Sequence, residues 1–430
     1  MSQRARDYLG PSIIIAASVV GTGELVVAPS LGAKVGISAL WIIVLGCVIK
    51  VFLQEQLGRH TILTGETTLE AFNRVPGKIG KLSWVSWAWL LLLISTSFQQ
   101  AGILAACTQS LHLLSIPGDG RLWAGIIAAC TAVILVAGRY GLIEKTSGIL
   151  VASFTLMTII ALVLLQRTPD SISWAQIGQG FTFDLPAAGF AAAVTVFGIT
   201  GIGTSELLFY PYWCLEKGYA RELSADLESN APVIHRRIRG MRLDISVALV
   251  VYTFATVAFF LLGATILHRA DKAPEGLEMV RTLSSMYTQT FGPWVFYIFA
   301  VGAFVVLYST FFVGLATFSL LVADTVRRLL PANTEFNLRR TVAWSTAILS
   351  VLYFLISLAF RTTPHWLIIY GGAVQTILLP IFGFAIVFNN HRRKDPYKAA
   401  SWMNWGALIS LAIIALAAGY SLWRMLAGIK

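Results

Sequence analysis

Long apolar runs, separated by short polar gaps, follow one another along the whole chain. A membrane-spanning helix needs roughly 20 mostly apolar residues. The pattern supplies about eleven such runs. Residues 11–31, 37–57, 84–113, 122–137 and 147–165 form the first five; residues 186–212, 243–267, 293–322, 341–359, 366–388 and 403–423 form the rest. Residues 58–83 read as a polar connector holding a short amphipathic piece, and Arg236 to Arg242 as a basic run in the largest loop. The pattern predicts an all-α membrane protein in which residues 1–430 make one transmembrane domain. The basic start followed by an apolar run has the outline of a signal peptide. Glu24, Pro29 and the many later spans mark it instead as a retained first helix.

Composition agrees. The chain is 57% hydrophobic and only 12% charged, with a mean hydropathy of +0.73; a soluble domain carries roughly 25% charged residues. A net charge of +11 would suggest nucleic acid in a soluble protein, but here the basic residues occupy the gaps between spans. With the N-terminus cytoplasmic, about 22 of the 32 Lys and Arg fall on the cytoplasmic side and about 9 on the other. The expectation is a multi-pass protein of a bacterial-type cell membrane. Its partners are the bilayer and a transported ion or small solute, with no nucleic acid; the pattern is silent on a homodimer. Trp84, Trp87, Trp89, Trp402 and Trp405 fall near span ends, as interfacial anchors do.

The four cysteines lie scattered in apolar stretches without CxxC spacing, so neither a zinc site nor a disulfide framework is indicated. The six histidines are dispersed, and no HExxH, GxSxG or P-loop is present. An enzyme is not expected, and no cofactor is implied.

The chemistry concentrates in two breaks. Span one reads Gly21-Thr22-Gly23-Glu24-Leu25 with Pro29 following; span six reads Gly203-Thr204-Ser205-Glu206-Leu207 with Pro211 following. Both fit G-T-x-E-L-x-x-x-P. Gly and Thr disfavour continuous helix, and proline lacks an N–H, so the backbone can unwind there. Unwound backbone at membrane depth is tolerated only where it is buried in protein or lines a cavity. A mid-membrane carboxylate is costly and is usually paired or functional. Five spans separate the breaks, so spans one and six run in opposite directions. That is the inverted five-plus-five repeat of one transporter class, here about 11–165 and 186–388 with an extra helix at 403–423.

At this point the chain resembles the Nramp family of divalent-metal transporters over nearly its whole length. Further support comes from Gln54, Arg59 and Thr64-Gly65-Glu66 after span two, and from Tyr140-Gly141-Leu142-Ile143-Glu144-Lys145 before span five. Tyr308-Ser309-Thr310 in span eight adds a weaker match. The resemblance implies a LeuT-like fold with discontinuous helices 1 and 6. It also shows departures. Where the family has Asp-Pro-Gly-Asn, this chain has Gly21-Thr22-Gly23-Glu24; where it has Met-Pro-His-Asn, this chain has Gly203-Thr204-Ser205-Glu206. An Asp ligand and a soft thioether are absent, and two amides have become carboxylates. Acidic residues associated with proton movement in helix three correspond to Ser97 and Gln100.

The expected function is a secondary-type transporter moving a small cation by alternating access. Oxygen-only ligands suit a hard divalent ion such as Mg²⁺ or Mn²⁺, with Glu24 and Glu206 as the metal-binding carboxylates. The alternative is an organic solute such as an amino acid or amine on the same fold. Lys50, inside span two, is either a fixed counter-ion for those carboxylates or a snorkelling side chain. Gln99, Gln100, Gln109 and Gln375 either line the cavity or bond between helices. Glu55 is a candidate cytoplasmic gate contact; Glu144 either caps its helix or forms an inner gate with Arg59.

Overall fold

The computed structural model describes residues 11–12, 19, 21, 23–137, 140–184, 189–220, 230–272, 274, 278–331, 334–360 and 364–427. Among these the only strands are a two-residue antiparallel pair, β1 (Lys78–Ile79) and β2 (Leu82–Ser83), with Lys78 opposite Ser83. Everything else regular is helix. Among the described residues, eight helical stretches are long and apolar enough to cross a membrane, and Gly120–Val136 and Ala152–Leu165 are shorter apolar helices.

In chain order, a π-turn at Gly23–Val27 leads into α1 (Ala28–Val35), and a short 3-10 turn joins that to α2 (Leu40–Thr64). A short helix, α3 (Thr68–Phe72), and the β1–β2 hairpin precede α4 (Trp84–Leu113), α5 (Gly120–Val136) and α6 (Tyr140–Leu165). Beyond the surface helix α7 (Trp174–Gln179) lie the two halves of the second broken helix, α8 (Phe190–Ile199) and α9 (Thr204–Glu216). The remainder comprises α10 (Ala231–Leu262, continued by a π-turn at Gly263–Leu267), α11 (Met279–Phe291), α12 (Val295–Leu329), α13 (Leu338–Ala359), α14 (Pro364–His391) and α15 (Ser401–Leu426).

Two boundaries differ from the hydrophobic pattern. The second span runs on to Thr64 instead of stopping near residue 57, and ends where Gly65 adopts a left-handed conformation (φ 69°). The basic run Arg236–Arg242 belongs to α10 and not to a loop. Polar residues continue both helices because they find partners: Arg59 and Arg242 both bond the buried carboxylate of Glu55. Hydropathy alone cannot register such pairing.

Glycines set how closely the broken helices sit in the bundle. A Cβ on Gly32 of α1 would lie 2.6 Å from the Phe260 carbonyl oxygen, and one on Gly263 would lie 2.5 Å from that of Pro29. The two backbones therefore touch, with the Gly263–Leu267 π-turn at the contact. Close backbone approach through small residues is the usual basis of helix association in lipid. Large apolar side chains such as Leu91, Ile94, Val133, Phe254, Ile348 and Leu416 remain exposed on the outside of the bundle, as a lipid-facing surface requires.

Candidate functional site

The two breaks meet. Gly23, in the first, has so little room that a Cβ would come within 3.0 Å of the Ile199 carbonyl oxygen at the end of α8. In the second, α8 stops at Ile199, and residues 200–203 turn through Gly201 at φ 60° before α9 begins. A Cβ at Gly201 would sit 2.8 Å from Cys47 Cα on α2, so both conformation and space demand glycine there.

Glu24 lies in the π-turn with its side chain fully buried. Its Oε1 accepts hydrogen bonds from the Gly201 N–H (3.2 Å) and from Thr256 Oγ1 on α10 (2.8 Å). Its Oε2 is buried and, among the described residues, has no hydrogen-bond partner. Burying a carboxylate is expensive unless it is paired or hydrogen-bonded. One oxygen of Glu24 is satisfied and the other is not.

Glu206 lies in the first turn of α9 and is half-buried, where a helix N-terminus favours negative charge. Its carboxylate folds back over Gly203, the space that a Cβ at 203 would occupy. Around it, Thr204 Oγ1 donates to the Gln375 carbonyl (2.8 Å), while the Ser205 N–H and Oγ both reach Gln375 Oε1 (3.1 Å each). Gln375 Nε2 in turn donates to Gln99 Oε1 (2.7 Å). Gln375 on α14 thus caps α9 and ties it to α4.

Lys50 does not snorkel; its side chain is fully buried. The ammonium donates to the carbonyls of Phe197 (2.8 Å) and Thr200 (2.5 Å), and it pairs with neither Glu24 nor Glu206. Those carbonyls are orphans of the α8 C-terminus, where the helix dipole favours positive charge. Lys50, Glu24 and Glu206 nevertheless lie within coulombic range of one another.

The other candidate residues are distributed as follows. Thr22 lies outside the described residues, and so does the side chain of Glu144 on α6. Gly21 accepts the Leu25 N–H through its carbonyl. Gln100 faces α12 and fills the space beside Gly314, while its neighbour Gln99 bonds Gln375. Arg59 bonds Glu55 and the Tyr397 carbonyl (2.9 Å) at the far end of α2. Thr256 and Gly201 escape sequence reasoning: Thr256 is one hydroxyl in an apolar run, and only the crossing of the breaks brings it to Glu24. Among the described residues, no three His, Cys, Asp or Glu come together. Any cation here would rely on two carboxylates, hydroxyls and backbone oxygens.

A cavity of about 280 Å³ reaches the first break from one side, bounded by Val27, Ser30, Lys34, Thr195, His365 and Trp366. Ser30 Oγ lies 3.4 Å from His365 Nε2. On the other side α9 is tied down. Asp324 on α12 accepts from Tyr212 Oη (2.7 Å) and Thr67 Oγ1 (2.6 Å) and pairs with Arg328 (2.8 Å), which also reaches Glu70 at 3.0 Å. Thr68 Oγ1 bonds the Leu208 carbonyl at 2.7 Å.

The family model described as natural resistance-associated macrophage protein-like (Nramp) matches residues 12–424. The chain belongs to the Nramp family. An uncharacterised protein of Pasteurella multocida is 23% identical over 308 residues, 70% of this chain and 66% of its own length, just under two thirds. Among solved structures, a mutant of the Eremococcus coleocola manganese transporter superposes with a TM-score of 0.66 at 14% identity, covering 99% of this chain and 87% of the other. Mhp1, a nucleobase-cation-symport-1 family transporter in a closed conformation with bromovinylhydantoin bound, gives 0.60 at 16% identity, covering 96% and 92%. MhsT in complex with L-phenylalanine also gives 0.60, at 14% identity, covering 97% and 99%. This Nramp protein therefore has the LeuT-like fold of membrane transporters, with helices 1 and 6 discontinuous. It is a multi-pass membrane protein of a family that transports and does not catalyse.

Proposed function

We propose that the protein carries a hard divalent metal ion, such as Mg²⁺ or Mn²⁺, between its two broken helices by alternating access. The observation that carries this reading is the unpartnered Oε2 of Glu24, fully buried beside the second break. Family membership and the fold shared with a manganese transporter support it. The donor set is oxygen only: the Glu24 and Glu206 carboxylates and the hydroxyls of Thr22, Thr204 and Ser205. Such a set suits a hard cation and offers a softer transition metal no thioether or imidazole.

With Lys50 held on the carbonyls of α8, the site carries two carboxylates against one ammonium. A dication reverses the sign of that balance, leaving a single net positive charge that the helix-terminal dipoles and hydroxyls can absorb. On the orientation read from the basic residues, the Val27–Trp366 cavity is the outer approach. The Asp324 cluster then closes the inner side. Transport requires α9 to leave α3 and α12 while α1 closes on α8.

Uptake into liposomes loaded with a divalent-sensitive dye tests the proposal. Flux of Mg²⁺ or Mn²⁺ that falls at least tenfold in both Glu24→Gln and Glu206→Gln is expected. Absence of divalent flux from active protein, with an amino acid or amine carried in its place, would overturn it.

A further inference from the structure

Away from the two breaks, a cluster of basic residues lies at the ends of α2 and α14. A cavity of about 660 Å³ opens there between the β1–β2 hairpin and the segment after α14. That is within the roughly 300–1,000 Å³ of ordinary ligand pockets. Its acidic groups are already engaged. Asp395 pairs with Arg393 (2.7 Å), and Glu66 takes bonds from His60 (2.8 Å) and Arg74. His60 is held on its other nitrogen by Arg393 (3.3 Å), so the imidazole bridges the two pairs.

Two cations remain. Among the described residues, the Lys78 ammonium has no carboxylate or hydrogen-bond partner. The Arg392 guanidinium lies 4.6 Å from the Phe388 ring centroid and, among the described residues, meets no carboxylate. Both side chains are exposed and line the same cavity. Asn73 Oδ1 accepts from the Ser83 N–H (2.7 Å), which leaves its amide N–H groups as donors. The hairpin that presents Lys78 is fixed by Gly77 and Gly80, both at positive φ (91° and 65°), and by Trp87 Nε1 on the Ile79 carbonyl (2.9 Å). Exposed Trp84, Trp402 and Trp405 open the neighbouring helices. Exposed tryptophans of this kind sit at headgroup depth.

We propose that this cavity is a binding site for a phosphate-bearing anion, held by Lys78 and Arg392 with Asn73 donating a further hydrogen bond. An excess of two positive charges, two unpartnered cationic side chains and free amide donors is a phosphate-recognition set. Its depth beside the tryptophans places a phospholipid headgroup within reach, and its open face also admits a free phosphate. The site is remote from Glu24 and Glu206 and does not depend on what the transporter carries.

The test uses full-length protein in nanodiscs of phosphatidylcholine with 20% phosphatidylglycerol, followed by native mass spectrometry of retained lipid. Thermal stability with and without 20 mM inorganic phosphate is measured in parallel. The double variant Lys78→Gln, Arg392→Gln is compared with Arg236→Gln, Arg239→Gln, which removes the same charge from exposed positions on α10. Each cation near a membrane surface contributes about fivefold, so retention of the anionic lipid falls about thirtyfold in the cavity variant and not in the control. Phosphate-dependent stabilisation lost only in the cavity variant, without selective lipid retention, identifies the free anion as the source. Lys78→Arg, Arg392→Lys restores either signal. Equal losses in both double variants, or neither signal in the wild type, would overturn the site.

Discussion

Thr256 Oγ1 donates to Glu24 Oε1 at 2.8 Å across a sequence separation of 232 residues. The same hydroxyl also touches the Tyr252 carbonyl one turn back (2.6 Å), so α10 positions it rigidly. A hydrogen bond to a charged group is worth about 1.5–3 kcal/mol, roughly ten- to hundredfold in an equilibrium. Thr256→Val keeps the shape and removes the donor, leaving only the Gly201 N–H on that oxygen. The expected outcome is an increase of at least tenfold in the KM for divalent uptake, with Thr256→Ser close to wild type. An unchanged KM in Thr256→Val would show that Glu24 takes no part in binding the transported ion.

Lys50 supplies positive charge where the second broken helix ends, so its removal orphans the Phe197 and Thr200 carbonyls. A buried acceptor left without a partner costs about 1–3 kcal/mol. Lys50→Ala is expected to lower the melting temperature in choline buffer by several degrees. It should also become stabilised by Na⁺ or K⁺, which can fill the vacated carbonyl site by mass action. Differential scanning fluorimetry in the three chlorides reads both effects. A variant destabilised equally in all three would make Lys50 a structural cap and nothing more.

Much of the frame was legible in the sequence, because lipid forces long apolar runs and two unwound segments leave Gly, Pro and Glu in plain view. Gly23-Glu24 and Gly203-Thr204 stand at breaks, and the breaks meet. What the pattern could not show is partnership. Glu55, Arg59 and Arg242 look like the end of a span and the start of a loop, yet their pairing lets both helices continue. Gln99 and Gln100 are adjacent and alike; a 100° step around α4 sends one to Gln375 and the other to Gly314. Thr256 carries no local signal because its role depends on contacts between distant segments.

Glu66, just beyond α2, is subject to opposed effects. Burial raises its carboxyl, but hydrogen bonds from His60 and Arg74 outweigh that and hold it below its ordinary 4.5. A depressed carboxylate stabilises the fold above its unfolded value, and that contribution is lost as pH falls through the folded one. The wild type should therefore exceed Glu66→Gln in melting temperature at neutral pH, and the gap should close as pH falls below 4.5 and through the folded value. Because Arg74 is solvent-exposed and screened, the gap corresponds to no more than about 1 kcal/mol. A gap that persisted unchanged into acid would mean that Glu66 does not act through its charge.

The ties around Asp324 give the most direct test of the proposed alternating access. Asp324 is the common acceptor of Tyr212 on α9, of Thr67 at the cap of α3 and of Arg328, and its side chain is buried. Asp324→Asn keeps the size and one acceptor oxygen but removes the charge that Arg328 and two hydroxyls depend on. Loss of charge-assisted bonding of this kind shifts a closed–open equilibrium by about 2 kcal/mol, roughly thirtyfold. Cys214, two residues beyond Tyr212 and fully buried, reports that opening. With Cys47, Cys107 and Cys130 replaced by Ala, Asp324→Asn is expected to raise the rate of Cys214 alkylation from the cytoplasmic side by at least tenfold. Divalent ion at saturating concentration, bound from the outer side, should slow it again. An alkylation rate equal to that of the parent would show that α9 is held shut elsewhere and that the Asp324 cluster is not the inner closure.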